Sequence, residues 1–176
     1  MYQLRELTRN DIVEINQWRQ SRELIEHLAA PYRYINIDVD NLWYEDYLKK
    51  RESSIRCIVL CDSEPVGLVS LLNIDRINQS AELHIMIGKQ ENRSHGAGTY
   101  AMTEMLRHAF MDINLNRVYL YVINTNLNAY QFYQKFGFIN EGELRQSVYK
   151  NSSFQNQHIM SILKKDYLEN NNPRLV

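Results

Sequence analysis

The sequence predicts one domain of the α/β (α+β) class, in which helices flank a mixed central sheet. Its 176 residues are the length of a single ordinary domain. Hydrophobic residues make up 44% and charged residues 23%, as in a globular chain with a real core. The apolar spacing switches between helical and strand-like stretches along the chain, and this order of elements predicts the mixed sheet.

The charge balance and the apolar runs exclude several classes of function. Twenty Lys and Arg against 21 Asp and Glu leave a formal net charge of −1, so no overall positive field would draw the chain to nucleic acid or anionic lipid. The apolar runs fall far short of the roughly 20 residues that span a bilayer. The first segment, MYQLRELTRND, carries charges where a signal peptide is apolar. We therefore expect a cytoplasmic protein with no nucleic-acid or membrane partner.

The cysteines and histidines indicate neither a disulfide nor a metal site. Cys57 and Cys61 lie in the run IRCIVLC; on a strand they would share a face with Cα atoms roughly 13 Å apart, too far for a disulfide. The five histidines show no HExxH or other ligand spacing, so no metal is expected.

The amino-terminal third is predicted to form one strand and two helices. YQLREL alternates like a strand, and Thr8 or Asn10 can cap a helix over about 12–27 that ends before Pro31. A second helix is predicted over 38–50, with acidic residues at its start and basic residues at its end.

The rest of the chain is predicted to complete the sheet. The runs IRCIVLC, VGLVSLLNI and AELHIMIG, separated by polar turns, predict a three-strand meander. Helical spacing returns over 99–111, RVYLYVI follows as a strand, and 126–136 is a short helix closed by Gly137. Two last strands are predicted within 141–149 and 155–163.

A glycine-containing junction between a strand and a helix is the first candidate ligand site. RSHGAG, residues 93–98, follows AELHIMIG and precedes the helical run. Two glycines one residue apart allow a tight turn with exposed backbone N–H groups, and the helix adds its positive dipole end. Such a loop fits a pyrophosphate, although a tight turn without a ligand fits this motif equally well. It is neither a Walker loop nor a GxGxxG fingerprint, because GK[ST] and a third glycine are absent.

A second motif lies in VINTNLNAYQFYQKFGF. The motifs Arg-x-x-Gly-x-Gly, from Arg93, and Asn-x-x-Ala-x-x-x-Tyr-x-Lys-x-Gly-Phe, from Asn126, occur in this order on these elements. Together they resemble the GNAT superfamily of acyl-CoA N-acyltransferases. The resemblance covers nearly the whole chain and is nearest to the branch of ribosomal-protein, polyamine and amino-sugar N-acetyltransferases. It implies a GNAT-like domain over 1–168, followed by a polar tail over 169–176.

The resemblance implies acetyl-CoA as co-substrate, held by a splayed pair of strands, and no metal. A main-chain N–H at Met86 or Ile87, on the strand before the loop, would polarise the acetyl carbonyl. Asn126 would bond the pantetheine arm. The residues implied to hold the CoA pyrophosphate are Arg93, His95, Gly96, Gly98 and Thr99.

Tyr133 and Glu82 are the candidates for proton transfer. The resemblance implies that Tyr133 lies near the CoA sulfur, and a Tyr hydroxyl of pKa about 10 can protonate a thiolate whose acid has a pKa of about 8.5. The alternative for Tyr133 is a core aromatic. Glu82 and His84 share one strand face, where Glu82 could accept the amine's proton, and burial would raise its pKa toward that role. The alternative is that both line a solvated sheet face.

The first two helices should cover the acceptor side of the cleft, as this resemblance implies. Core packing is the better interpretation of Trp18, which shares a helical stripe with Ile15. Residues 27–31 contain no carboxylate, whereas polyamine enzymes of this branch are rich in acidic residues there. The candidate acceptor-side residues are Trp18, Arg19, Tyr32, Tyr34, Trp43 and Tyr44.

The sequence therefore predicts an acetyl-CoA-dependent N-acetyltransferase in which a primary amine attacks the thioester directly. The expected acceptor is an amino sugar, another small amine or a protein N-terminus, and the alternative is a polyamine. A CoA-binding sensor or interaction module without turnover is the competing class, and a mixed α/β domain without a CoA site is the broader one. A homodimer is compatible with each of them.

Overall fold

The structure, a computed structural model, describes residues 1–88 and 95–170. Within this part of the chain, seven strands form one sheet in the order β1-β2-β3-β4-β5-β7-β6. The strands are β1 (Tyr2–Glu6), β2 (Ile55–Cys61), β3 (Glu64–Asp75), β4 (Ser80–Ile87), β5 (Arg117–Ile123), β6 (Ile139–Lys150) and β7 (Ser153–Leu163). The α-helices are α1 (Ile12–Gln20), α2 (Arg22–Glu26), α3 (Ile37–Lys49), α4 (Ala97–Arg107), α5 (Leu127–Lys135) and α6 (Lys164–Asn170).

The sheet is mixed, as the sequence predicts. Strands β1 to β4 pair antiparallel, and β5, β7 and β6 form a second antiparallel group. The two groups meet through a parallel pairing of β4 with β5. The predicted meander β2-β3-β4 and the boundaries of β5 are confirmed.

A hydrophobic cluster lies on each face of the sheet. Alternation along β2 directs Val59 into the cluster that packs under α4, and its neighbours Ile58 and Leu60 into the cluster under α1 and α3. Trp18 is 4% exposed and belongs to the second cluster, so its assignment to the core is confirmed.

The predicted helix over 12–27 is divided in the structure. Ser21 adopts an extended conformation, with ψ of 108°, and its Oγ accepts a hydrogen bond from the Leu24 N–H. This N-cap begins α2 as a separate short helix. The prediction of one continuous helix was wrong, because the apolar spacing continues across a residue whose side chain caps the next turn.

The carboxy-terminal end contains a helix that the sequence analysis does not include. Helix α6 follows β7 directly, and Tyr167 packs against Phe110 with ring centroids 5.0 Å apart. The domain boundary predicted at residue 168 therefore falls inside α6. No helix in the described ranges is long and apolar enough to cross a membrane. Cys57 and Cys61 are free, as predicted.

Candidate active site

A cleft of about 610 Å³ opens where β4 and β5 separate. The parallel pairing joins only Ser80–Glu82 to Arg117–Tyr119. Beyond Glu82 the strands diverge, and the cleft is lined by β4 on one side and by β5 and α5 on the other. The splayed strand pair implied by the sequence motifs is thus present.

The backbone N–H groups of β4 point alternately toward β3 and toward the opening. The Gly88 N–H donates to the Val66 carbonyl of β3 over 2.8 Å. In an antiparallel pair, every second residue directs its N–H at the neighbouring strand. The N–H of Met86 is consequently directed at β3, whereas those of Ile85 and Ile87 point to the side that β5 has left. Of the two residues predicted to polarise the acetyl carbonyl, Ile87 fits this geometry and Met86 does not.

The amino-terminal end of α4 presents uncapped N–H groups. Gly96 is the N-cap, with φ of +97°, and it makes no side-chain cap hydrogen bond. The caps of α2, α3 and α5, in contrast, each accept from a backbone N–H. The Tyr2 hydroxyl holds the preceding loop by donating to the His95 carbonyl over 2.6 Å. Gly98 and Thr99 lie in the first turn, and Arg93 lies outside the described residues.

The strand end, the α4 terminus and α5 converge at Gly98. A Cβ at this position would meet Phe132 of α5 at 3.7 Å and Ile87 of β4 at 3.8 Å. The N–H groups at a helix N-terminus suit a diphosphate, and the open edge of β4 suits an extended amide-containing chain. These residues therefore fit an acyl-CoA that enters at α4 and extends into the cleft.

Asn126 connects α5 to the segment 25–28, which forms the cover of the cleft. Its Oδ1 accepts from the Ala129 N–H over 3.0 Å, and its Nδ2 donates to the His27 carbonyl over 2.8 Å. The side chain lines the cleft, while both ends of its amide already bind protein groups. Its contact with pantetheine stays a prediction.

Lys150 fixes the same cover from the β6–β7 hairpin. Its Nζ donates to the backbone carbonyls of Ile25, Glu26 and Leu28 over 2.7, 2.5 and 2.9 Å. The residue is 4% exposed, and its charge lies at the carboxyl end of α2, where a helix dipole favours a cation. The sequence analysis missed Lys150, because it lies in what reads as a polar turn.

Tyr133 projects into the cleft from α5. Its ring packs against Phe132 and Phe138, with centroid distances of 5.7 and 5.9 Å. Its hydroxyl makes no hydrogen bond to any residue within the described ranges. Burial raises the pKa of Tyr133 to about 12, so the hydroxyl remains protonated at neutral pH.

Glu82 and His84 form a pair on the opposite wall. His84 Nε2 lies 2.7 Å from Glu82 Oε1, and the Asn73 side chain donates to Glu82 Oε2 over 3.0 Å. The Glu82 side chain is 16% exposed and that of His84 is 54% exposed. The His84 hydrogen bond lowers the pKa of Glu82 and outweighs burial. Burial raises this pKa as expected, but its effect is the smaller one, so the expected net rise toward a better base is not found.

The acceptor end of the cleft is lined by arginines. Trp43 lies between Arg19 and Arg56, with each guanidinium carbon 4.6 Å from an indole centroid. Arg19 pairs with the fully buried Asp40, and Arg33 also lines the cleft. Of the predicted acceptor-side residues, Arg19 and Trp43 belong to the described lining.

Comparison with known proteins matches these features to a large group of enzymes. Residues 2–139 match the family model described as acetyltransferase (GNAT) domain. A spermidine N(1)-acetyltransferase of Escherichia coli (strain K12) is 31% identical over 94% of this chain and 87% of its own length. A putative ribosomal N-acetyltransferase of Bacillus subtilis (strain 168) is 30% identical over 65% of this chain and 62% of its own.

A solved structure matches over nearly the whole fold. The spermidine N-acetyltransferase of Vibrio cholerae, in complex with CoA and spermine, superposes with a TM-score of 0.88 at 28% sequence identity. The match covers 95% of this chain and 98% of that one.

Proposed function

The chain belongs to the GNAT acetyltransferase family, and from this premise we propose that it acetylates the primary amine of a small acceptor between β4 and β5. It is an acetyl-CoA-dependent N-acetyltransferase. One observation carries the proposal: pairing of the two strands ends at Glu82 and Tyr119, and the opening has His84 on one wall and Tyr133 on the other.

Glu82 and His84 are proposed to remove the proton from the attacking amine. A carboxylate with a lowered pKa is a weak base, so Glu82 alone suits this step poorly. Imidazole is the side chain most often used as a base near neutrality. His84 is the more exposed partner, and Glu82 would orient its ring and stabilise the imidazolium, as a carboxylate does in a catalytic triad.

Tyr133 is proposed to supply the proton at the leaving sulfur. Bound acetyl-CoA provides a thioester carbonyl, so that a C–N bond forms as the C–S bond breaks. The amine proton passes to His84, and the thiolate takes one from the Tyr133 hydroxyl, which is restored from solvent. The raised pKa of Tyr133 keeps that proton available at neutral pH. The backbone N–H of Ile87 would polarise the carbonyl from the open edge of β4.

The relatives and the charges in the cleft favour different acceptors. The relatives named for spermidine support a polyamine, the class given second place by the sequence analysis, and lend no support to an amino sugar. Glu82 offers negative charge to an ammonium group inside the cleft. The same cleft is also lined by Arg19, Arg33 and Arg56. Their positive charges disfavour a second ammonium group there.

An amine panel tests the proposal. The full chain is incubated with acetyl-CoA and glucosamine, a peptide with a free N-terminus, or spermidine, while thiol release and product mass are measured. We expect thiol release equal to N-acetylated product for at least one class. Glu82→Gln should lower kcat/KM about tenfold or more, whereas Glu64→Gln, at an exposed residue of β3, should not.

Two other outcomes would contradict the proposal. Thermal stabilisation by CoA without thiol release from any amine would identify a CoA-binding module. The absence of both stabilisation and turnover would identify a domain without a CoA site.

A further inference from the structure

Arg56 occupies the floor of the cleft on the same face as the catalytic pair. It lies opposite Ser70 in the register of β2 with β3, and Ser70 lies opposite His84 in that of β3 with β4. Directly opposed residues share a face of the sheet, so the three form one row across it. Two strand spacings separate the Cα positions of Arg56 and His84, about 10 Å.

Among the residues that the structure describes, no carboxylate forms an ion pair with the Arg56 guanidinium. Its Nε is buried and makes no hydrogen bond within the described ranges. Burial and then the nearby charge of Arg19 lower the pKa of Arg56 to about 10. The group therefore remains charged at neutral pH, in surroundings that disfavour the charge.

The neighbouring carboxylates already bind other groups. Asp46, whose negative charge acts on Arg56, pairs with Lys50 over 2.8 Å. Asp40 pairs with Arg19 and accepts from the Asn16 amide over 2.7 Å. Glu82 is hydrogen-bonded by His84 on the catalytic side. Trp43 shields one face of the Arg56 guanidinium. The acceptor end thus has an excess of positive charge, and Arg56 belongs to the lining of the cleft.

We propose that Arg56 and Arg19 bind an anionic group of the acceptor, so that the acetylated amine carries a carboxylate or phosphate on the far side of the cleft from its nitrogen. This inference rests on the proposed function and names its acceptor class. A polyamine would bring a second ammonium to this end, where it would meet the positive charges of Arg56 and Arg19 in a partly desolvated cleft. Peptides and phosphorylated amino sugars satisfy the requirement.

A series of amines that differ only in the distal charge tests the inference. The compounds are 8-aminooctanoate, octylamine and 1,8-diaminooctane, compared by kcat/KM at equal pH and ionic strength. We expect kcat/KM for the carboxylate to exceed that for octylamine by about tenfold or more, since a hydrogen bond between two charged groups is stronger than one between neutral groups. The diamine should be the poorest acceptor. A comparison of kcat/KM for glucosamine 6-phosphate and glucosamine then separates a preference for phosphate from a preference for carboxylate.

Substitution of Arg56 tests whether this residue causes the preference for the carboxylate-bearing amine. Arg56→Met keeps an unbranched stem without the charge and should reduce the advantage of the carboxylate to about twofold, with the KM for acetyl-CoA unchanged. Arg145→Met, at an exposed residue of β6 outside the described cleft lining, removes the same charge and should keep the wild-type order. If Arg56→Met does not fold, the order of kcat/KM among the three amines with the wild-type protein decides whether the inference stands.

The failures of the two proposals are distinguishable. A preference for the diamine, or no preference among the three amines, overturns the anionic-acceptor inference and leaves the acetyltransferase proposal standing. An Arg56→Met variant that keeps the carboxylate preference overturns the role of Arg56. The absence of acetylation of any amine overturns both proposals.

Discussion

At the scale of single residues, the two walls of the cleft hold ionisable groups whose pKa values are shifted in opposite directions. Burial raises the pKa of Tyr133 to about 12, whereas the His84 hydrogen bond lowers that of Glu82. At neutral pH one group keeps its proton and the other keeps its charge. Because the pKa of Glu82 is lowered, the stabilisation from that hydrogen bond is present above the ordinary value and lost as pH falls through the lowered one.

Tyr133→Phe tests proton donation. The change removes a hydroxyl and leaves the ring packed, so kcat should fall about 10²-fold with little change in the KM for acetyl-CoA. Wild-type kcat should show no alkaline limb from Tyr133 below pH 10, because the raised pKa keeps the hydroxyl protonated there. Tyr130→Phe on the same helix, outside the described cleft lining, is the matched control. A Tyr133→Phe variant with wild-type kcat, where chemistry limits turnover, would contradict the role.

The residues of the site differ in how far sequence could predict them. Tyr133 and Glu82 follow from motifs within short segments. The charge on Arg56 becomes significant only through its alignment with Ser70 and His84, and strand register across the chain is not visible in a local pattern. The one available signal was a charged residue on the apolar face of IRCIVLC.

At the scale of elements, separate parts of the chain hold the cover of the cleft. The hairpin contributes Lys150, and α5 contributes Asn126, both bonded to carbonyls of the segment 25–28. Because Asn126 caps the helix that carries Tyr133, its contact with the His27 carbonyl joins the cover to that wall of the cleft. The strands were predictable from apolar alternation, while the break at Ser21 depended on a side chain capping the backbone.

Gly98→Val tests the CoA-binding end. A Cβ at Gly98 has ordinary contacts with Phe132 and Ile87, so the fold should persist, while the larger side chain would enter the path between α4 and β4. We expect the KM for acetyl-CoA to rise about tenfold or more, a loss of about 1.4 kcal/mol or more in binding. Gly142→Val, where a Cβ meets nothing within 4 Å, is the control. Unchanged CoA affinity in a folded Gly98→Val variant would contradict the assignment.

At the scale of the whole molecule, the sheet divides into two antiparallel groups joined by a short parallel contact, and the proposed function has both substrates bind in the opening this creates. The mechanism therefore requires acetyl-CoA and amine to be bound together. A covalent acetyl-enzyme has no suitable nucleophile in Cys57, because burial raises the pKa of that thiol to about 11.

Initial velocities with both substrates varied test this claim most directly. If the amine attacks the bound thioester in one complex, double-reciprocal plots at several fixed amine concentrations intersect, and no acetylated protein is found by mass spectrometry after incubation with acetyl-CoA alone. Parallel lines, together with one acetyl group per chain on the isolated protein, would show transfer through an acetyl-enzyme and contradict direct attack in the cleft.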